Sequence, residues 1–278
     1  MIPPLARRFV AGESPATALE HARLLNEDGT GAILNLLGEH YDRPDPADAD
    51  AAAYCQLLSD VAGTDLRACL SVKPSQLGLA VDRDVFEENL ARVVDAAHER
   101  DIFVWLDMED HTTTDATLDA YETHARPTEG GVGVCVQANL RRTREDLERL
   151  ARLPGKVRLV KGAYNPPADV AYRENDRVDE QFEALLEYMF REFEDGIAVG
   201  SHDPAMLARA ASLHETYGTP YEVQMLMGVR EEAQRDLASR REVWQYVPYG
   251  ERWLAYFYRR LTENLDNARF AARALLPG

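Results

Sequence analysis

Lysine is nearly missing from this sequence. Of 31 cationic residues only Lys73, Lys156 and Lys161 are lysine, leaving 31 − 3 = 28 arginines. Cysteine is scarce as well: Cys55, Cys69 and Cys135 are odd in number, far apart, and form no C-x-x-C pair. That argues against a disulfide framework and a cysteine-built zinc site, and it suits a reducing compartment in which the three thiols are buried and inert. No run of eighteen apolar residues occurs, so no membrane-spanning helix is expected. The opening segment MIPPLARRFVAGESP lacks the apolar centre of a secretion signal, and a cytoplasmic protein is expected. A surplus of positive charge is absent too. With 48 acidic residues the net charge is −17 and the pI near 4.8, so nucleic acid is repelled rather than bound. The acid is spread along the chain rather than gathered in a disordered tail. Acid-rich and lysine-poor together fit a salt-loving host, since at ~1 M salt the Debye length shrinks to ~3 Å and self-repulsion is screened. An arginine-biased genome is the plainer alternative. Finally, there is no G-x-G-x-x-G between a strand and a helix; GGVGV at 130–134 leads into a strand rather than out of one.

What the chain does have is regular alternation. Ser14 and Pro15 read as the N-cap and first residue of a helix that closes at Gly29. Strand-like runs follow at AILNLL (32–37), ACLSV (68–72), IFVWLD (102–107), VGVCVQA (132–138), VRLVKG (157–162), IAVGS (197–201), YEVQML (221–226) and VWQYV (243–247). After each comes a stretch with helical spacing. The clearest are 84–99, with Phe86, Leu90, Val93, Val94 and Ala97 on one face, and 179–193, with Phe182, Leu185, Leu186, Met189, Phe190 and Phe193. PDPADADAAA (44–53) opens a helix rather than marking a linker. Eight strand–helix pairs make a (β/α)8 TIM-type barrel, α/β in class. The expected organisation is one domain, residues 1–29 forming a short N-terminal arm and helix and 30–278 the barrel.

One stretch resists the apolar pattern. VRLVKGAY (157–164) reads as a buried strand, yet it carries Arg158 and Lys161. Buried cations are costly unless paired, so they meet either buried carboxylates or a bound anion. A barrel gives them a location, because its reactive mouth lies at the C-terminal strand ends. Lys73, Asp107, Gln137, Arg158, Lys161, Ser201, His202, Gln224 and Tyr246 all fall there. Two of the three lysines are in that set, where a compact ammonium differs from the planar fork of arginine. Near the C-terminus, WLAYFYRRLTEN (253–264) sets Arg259 and Arg260 just after Tyr256 and Tyr258, either as a carboxylate clamp or as a solvated face with an Arg259–Glu263 pair. Asp107, Glu109, Asp110 and His111 have metal-ligand chemistry but not the further oxygens a metal site needs, and no metal is expected. Tyr249 reads as core, and Glu222 as a salt-bridge partner for a barrel cation.

SVKPSQLGL (71–79), WLDME (105–109), VCVQAN (134–139), RLVKGAY (158–164), GSHD (200–203), YEVQMLMG (221–228) and YVPYGERWLAYFYRRLTEN (246–264) together resemble the proline dehydrogenase family, in its short single-activity form. The likeness runs from about Phe9 to Phe270. It implies a distorted (β/α)8 barrel that uses FAD to oxidise L-proline to 1-pyrroline-5-carboxylate and passes electrons to a quinone or similar acceptor, with a transient membrane contact allowed. By position it implies that Asp107 and Arg158 are catalytic. Lys73, Arg259 and Arg260 would hold the substrate carboxylate and Tyr246 its ring. Met108, Gln137, Arg158, Lys161, Gly162, Ala163, Ser201 and His202 would contact FAD. On this reading the cations of the fifth strand pair with the cofactor and not with carboxylates. The chain departs from the family at Pro74, expected to stiffen the end of the second strand, in its short N-terminal arm, which leaves assembly open, and at Asn165-Pro166-Pro167. A barrel lyase with a Schiff base on Lys161, favoured by a depressed lysine pKa, and a non-catalytic binding barrel are the alternatives.

Overall fold

A computed structural model describes residues 2–3, 6–38, 40–163 and 165–258. Helix α1 (Pro15–Glu27) begins at the expected Ser14 cap, whose hydroxyl accepts the Thr17 amide, and ends two residues before Gly29. Eight strands follow: β1 (Gly31–Leu36), β2 (Ala68–Val72), β3 (Val104–Leu106), β4 (Val132–Gln137), β5 (Lys156–Val160), β6 (Ile197–Gly200), β7 (Tyr221–Leu226) and β8 (Val243–Tyr249). Between them lie α2 (Pro44–Ala62), α3 (Arg83–His98), α4 (Thr114–Ala125), α5 (Thr143–Leu150), α6 (Asn175–Glu192), α7 (Pro204–Tyr217) and α8 (Glu231–Ala238), and residues 253–258 are helical after β8. All strand pairs are parallel, and β1 pairs with both β2 and β8, closing the barrel in chain order. This is the (β/α)8 fold expected from the alternation.

Side chains on a strand alternate between faces. The outward set, including Leu34, Leu70, Val104, Leu106, Val134 and Leu159, packs against buried residues of the helices such as Leu57, Leu90, Val93, Leu118 and Phe182. The inward set forms layers. Ile33, Cys69, Trp105 and Ala198 make an apolar plug inside the cylinder. Trp105 fits because its register partner on β4 is Gly133, where a Cβ would stand only 2.7 Å from the indole. One inward step further along, two residues on, β1, β2 and the end of β3 present Asn35, Ser71 and Asp107 toward the C-terminal end. The three thiols are free, Cys69 and Cys135 buried and Cys55 half-buried, and burial pushes the Cys69 and Cys135 thiols up, away from reactive thiolate. Among the described residues no helix is long and apolar enough to cross a membrane.

Candidate active site

Asp107 is the hub of the mouth. It follows β3, and its amide still donates to Val72 O at 2.9 Å, so the chain tracks β2 one step past the strand end. Oδ1 accepts from Ser71 Oγ at 2.6 Å and from Arg158 Nη2; Oδ2 accepts from Tyr246 Oη at 2.6 Å, with Lys73 Nζ 3.7 Å away. Burial works against the charge, but Arg158, Lys73 and the two hydroxyls outweigh it and hold the carboxyl below its usual range. The same neighbourhood raises the Tyr246 phenol: burial first, then the Asp107 carboxylate that its proton points at.

Arg158 is 5% exposed. It lies over Trp105 at 5.0 Å from the ring centroid, donates Nη2 to Asp107, and donates Nη1 to Gln224 Oε1 at 2.9 Å. Lys73 is 9% exposed, and its ammonium is held by neutral oxygens, Asn35 Oδ1 at 3.0 Å and Tyr246 Oη at 3.4 Å. Asn35 is fully buried on β1, its Nδ2 donating to Ser71 O at 2.9 Å. The lone polar residue in AILNLL was the sequence signal for it, and apolar neighbours masked it as core.

The rim is assembled by loops. Glu109 takes the Ser75 amide and hydroxyl on its two oxygens, each at 2.7 Å, and its carboxyl is raised chiefly by burial, against those two bonds. Gln137 donates Nε2 to the Glu109 carbonyl at 2.8 Å, and Met108 is buried beside them. Pro74 does not stiffen a strand: β2 ends at Val72, and Pro74 opens a turn in which the Gln76 and Leu77 amides both donate to Lys73 O at 3.1 Å. Across the mouth, Ser201 Oγ accepts the Asp203 amide at 3.1 Å and His202 Nε2 accepts the Leu226 amide at 3.2 Å. Gly162 and Ala163 are exposed, and Gly162 has φ +118°. Arg259 and Arg260 lie outside the described residues.

Two expectations are corrected here. The cations of VRLVKGAY do have carboxylate partners: Asp107 for Arg158, and Asp179 at 2.5 Å and Asp203 at 2.8 Å for Lys161. The sequence could not show this, because Asp179 lies near the start of α6 and Asp203 caps α7, both remote from Lys161 in sequence. Lys161 is also not on a central strand, since β5 ends at Val160. Burial lowers its pKa, but the two aspartates outweigh burial and leave it raised. A Schiff-base lysine needs the opposite, so the lyase reading is not favoured. Glu222, by contrast, does pair with a barrel cation, Lys156, and Tyr249 is core. Among the described residues no group of three or more His, Cys, Asp or Glu side chains is placed to hold a metal, and Asp110 instead caps the short turn His111–Thr113.

The layout matches known proteins across nearly the whole chain. The family model described as proline dehydrogenase matches residues 18–273. The chain is 35% identical to a proline dehydrogenase of Deinococcus radiodurans over 286 residues, covering 99% of this chain and 91% of that protein. It is 32% identical to proline dehydrogenase 1 of Bacillus subtilis, covering 98% and 90%. Among solved structures, proline utilization A of Bdellovibrio bacteriovorus, inactivated by N-propargylglycine, superposes with a TM-score of 0.85 at 25% identity over 94% of this chain. This chain spans only 32% of that much longer protein. With a family model over most of the chain and relatives matched along about nine-tenths of their own length, the chain belongs to the proline dehydrogenase family.

Proposed function

We propose that this chain oxidises L-proline to 1-pyrroline-5-carboxylate. FAD, when bound, would supply the acceptor for the hydride of proline C5, and a quinone or similar acceptor would carry the electrons onward. The observation that carries the reading is the ammonium of Lys73. It is buried at the barrel mouth, its hydrogen bonds go to neutral oxygens, and its nearest carboxylate, Asp107, is already engaged by Arg158. A buried cation so little neutralised is a receptor for an anion. Proline presents a carboxylate at one end of its ring, and anchoring it there, together with Arg259 and Arg260, aims the far carbon at a fixed place. Tyr246 bounds the ring, its hydroxyl held by Asp107. Arg158, kept cationic by Asp107, stabilises negative charge that builds up beside it.

The residues assigned to FAD suit it. Gly162 has a backbone angle that side chains resist, and its exposed peptide admits a large ligand closely. Beside it, Asn139 Oδ1 is buried with no hydrogen-bond partner among the described residues. Arg158, Met108, Gln137, Gly162, Ala163, Ser201 and His202 would hold the flavin and its neighbouring atoms. Lys161 would serve a phosphate after exchanging one of its two aspartates for it. Gly162→Ala tests this arm. The added Cβ would stand 2.3 Å from Asn139 Oδ1, so the variant is expected to purify with most of its flavin lost while its circular dichroism stays that of the folded barrel. Undiminished flavin would place the cofactor elsewhere.

The direct test is anaerobic addition of L-proline to the purified protein at low and high salt. A yellow protein whose visible flavin band bleaches with proline supports the reading. A yellow protein that binds proline without bleaching would instead be a binding barrel, and a colourless one would remove FAD from the account. High salt keeps the −17 charge screened if the host is halophilic, and activity that rises with salt is the sign of such a host. A cytoplasmic site, with transient contact at the membrane where quinone resides, completes the proposal.

A further inference from the structure

The Arg158 guanidinium is fixed from below as well as from the mouth. Gln224, inward on β7, accepts Arg158 Nη1 on its Oε1 at 2.9 Å, and its Nε2 donates to Glu222 Oε1 at 2.6 Å. Glu222 Oε2 receives Lys156 Nζ at 2.5 Å, toward the opposite end of the barrel. A polar chain thus passes beside the apolar plug, from a part-exposed ammonium to the site. Its polarity is not arbitrary. A guanidinium has only donors and a carboxylate only acceptors, so the amide between them can sit just one way round. Glu222 is 4% exposed, and a buried carboxylate in a strand is too costly to be casual.

We propose that Glu222 is a positioning residue for the oxidation: it locks the Gln224 amide with its oxygen toward Arg158 and so orients the guanidinium that stabilises the reduced cofactor. The inference rests on the flavin reading above. Lys156 neutralises Glu222 from the other side. Without the carboxylate the amide can turn its NH2 toward Arg158, setting donor against donor, and the guanidinium loses one of its two fixed bonds.

Glu222→Gln preserves size and hydrogen-bonding capacity. With flavin content and thermal midpoint near wild type, kcat for proline is expected to fall about tenfold while KM stays within about twofold, because the lost bond acts at Arg158 and not at Lys73. The reduction potential of the bound flavin should shift downward, because the guanidinium that stabilises its reduced form is no longer held in place. The double variant Glu222→Gln/Gln224→Glu puts an acceptor-only group back against Arg158 with a donor amide beneath it, and kcat should return to within about threefold of wild type. A single variant with wild-type kcat and potential overturns the proposal, as does a double variant no better than the single. If Glu222→Gln does not accumulate, Gln224→Met removes the acceptor without adding charge; it should show the same loss of kcat, and an unchanged kcat is equally fatal. A wild-type protein without flavin would sink the flavin reading by itself. The positioning role is then read from the Gln224 side-chain amide in a nitrogen-15 spectrum, which must shift in Glu222→Gln and defeats the proposal if it does not.

Discussion

Asp107→Ala should be the most damaging single substitution in the barrel, destabilising the protein by about 3–5 kcal/mol because it strands a buried guanidinium. Arg158 would keep its bond to Gln224 but lose its counterion; Ser71 and Tyr246 would lose their acceptor, and Lys73 its nearest carboxylate. Activity with proline is expected to drop at least about a hundredfold, since Arg158, Tyr246 and Lys73 are all aimed by this one group. The loss carries a pH signature. The Asp107 carboxyl lies below its usual range in the folded protein. Its stabilisation is therefore fully present above the unfolded value of about 3.9 and fades as pH falls through the lower, folded value. Denaturation measured from pH 7 downward should show wild type and Asp107→Ala far apart at neutral pH and converging below about pH 4. A gap that is constant with pH would mean that Asp107 acts by shape and not by charge.

Much of this arrangement is written in the order of residues, and the reason is the two-residue period of strands. Once Arg158 is placed on an inward face, Lys156 must share that face, and so must Glu222 with Gln224 or Trp105 with Asp107. The strand runs were legible because parallel strands are buried on both faces and read as continuous apolar segments. Boundaries were softer. β3 begins at Val104 rather than residue 102, although the Phe103 carbonyl already accepts the Leu70 amide at 3.0 Å, so the ladder starts before the regular strand does. β8 runs on to Tyr249 through Pro248.

What the sequence hid was partnership across distance. Nothing local to Lys161 announces Asp179 or Asp203; the first turn of α6 and the cap of α7 bring them in only after the barrel closes. Asn35 was hidden for a different reason. A single amide among leucines resembles a tolerated core residue, and only the adjacency of β1 to β2 shows that its oxygen faces Lys73. Arg259 and Arg260 carry a motif strong enough to read in sequence, and their place in the site stays a proposal.

The three lysines of the chain sort themselves by how fully each is neutralised, and that sorting sets the last expectation. Lys161 meets two carboxylates and Lys156 meets one at 2.5 Å. Lys73 meets only a shared one at 3.7 Å, across which Arg158 and Tyr246 already act. Deleting an ammonium that the protein itself satisfies should cost stability; deleting one kept for a ligand should cost affinity. Lys73→Met retains the aliphatic stem and fills the same channel. Its thermal midpoint should change little, because relief from burying the charge offsets the hydrogen bond lost at Asn35. Its KM for proline should rise about a hundredfold, the usual loss when one side of a desolvated, charge-assisted pair is removed. The decisive comparison is with the amide of proline, which has no carboxylate. Wild type should strongly prefer the acid, and Lys73→Met should treat the two nearly alike. A variant that unfolds instead, or that keeps its preference for the acid, would show that Lys73 serves Asp107 and the fold, and that the substrate anion is held by other groups.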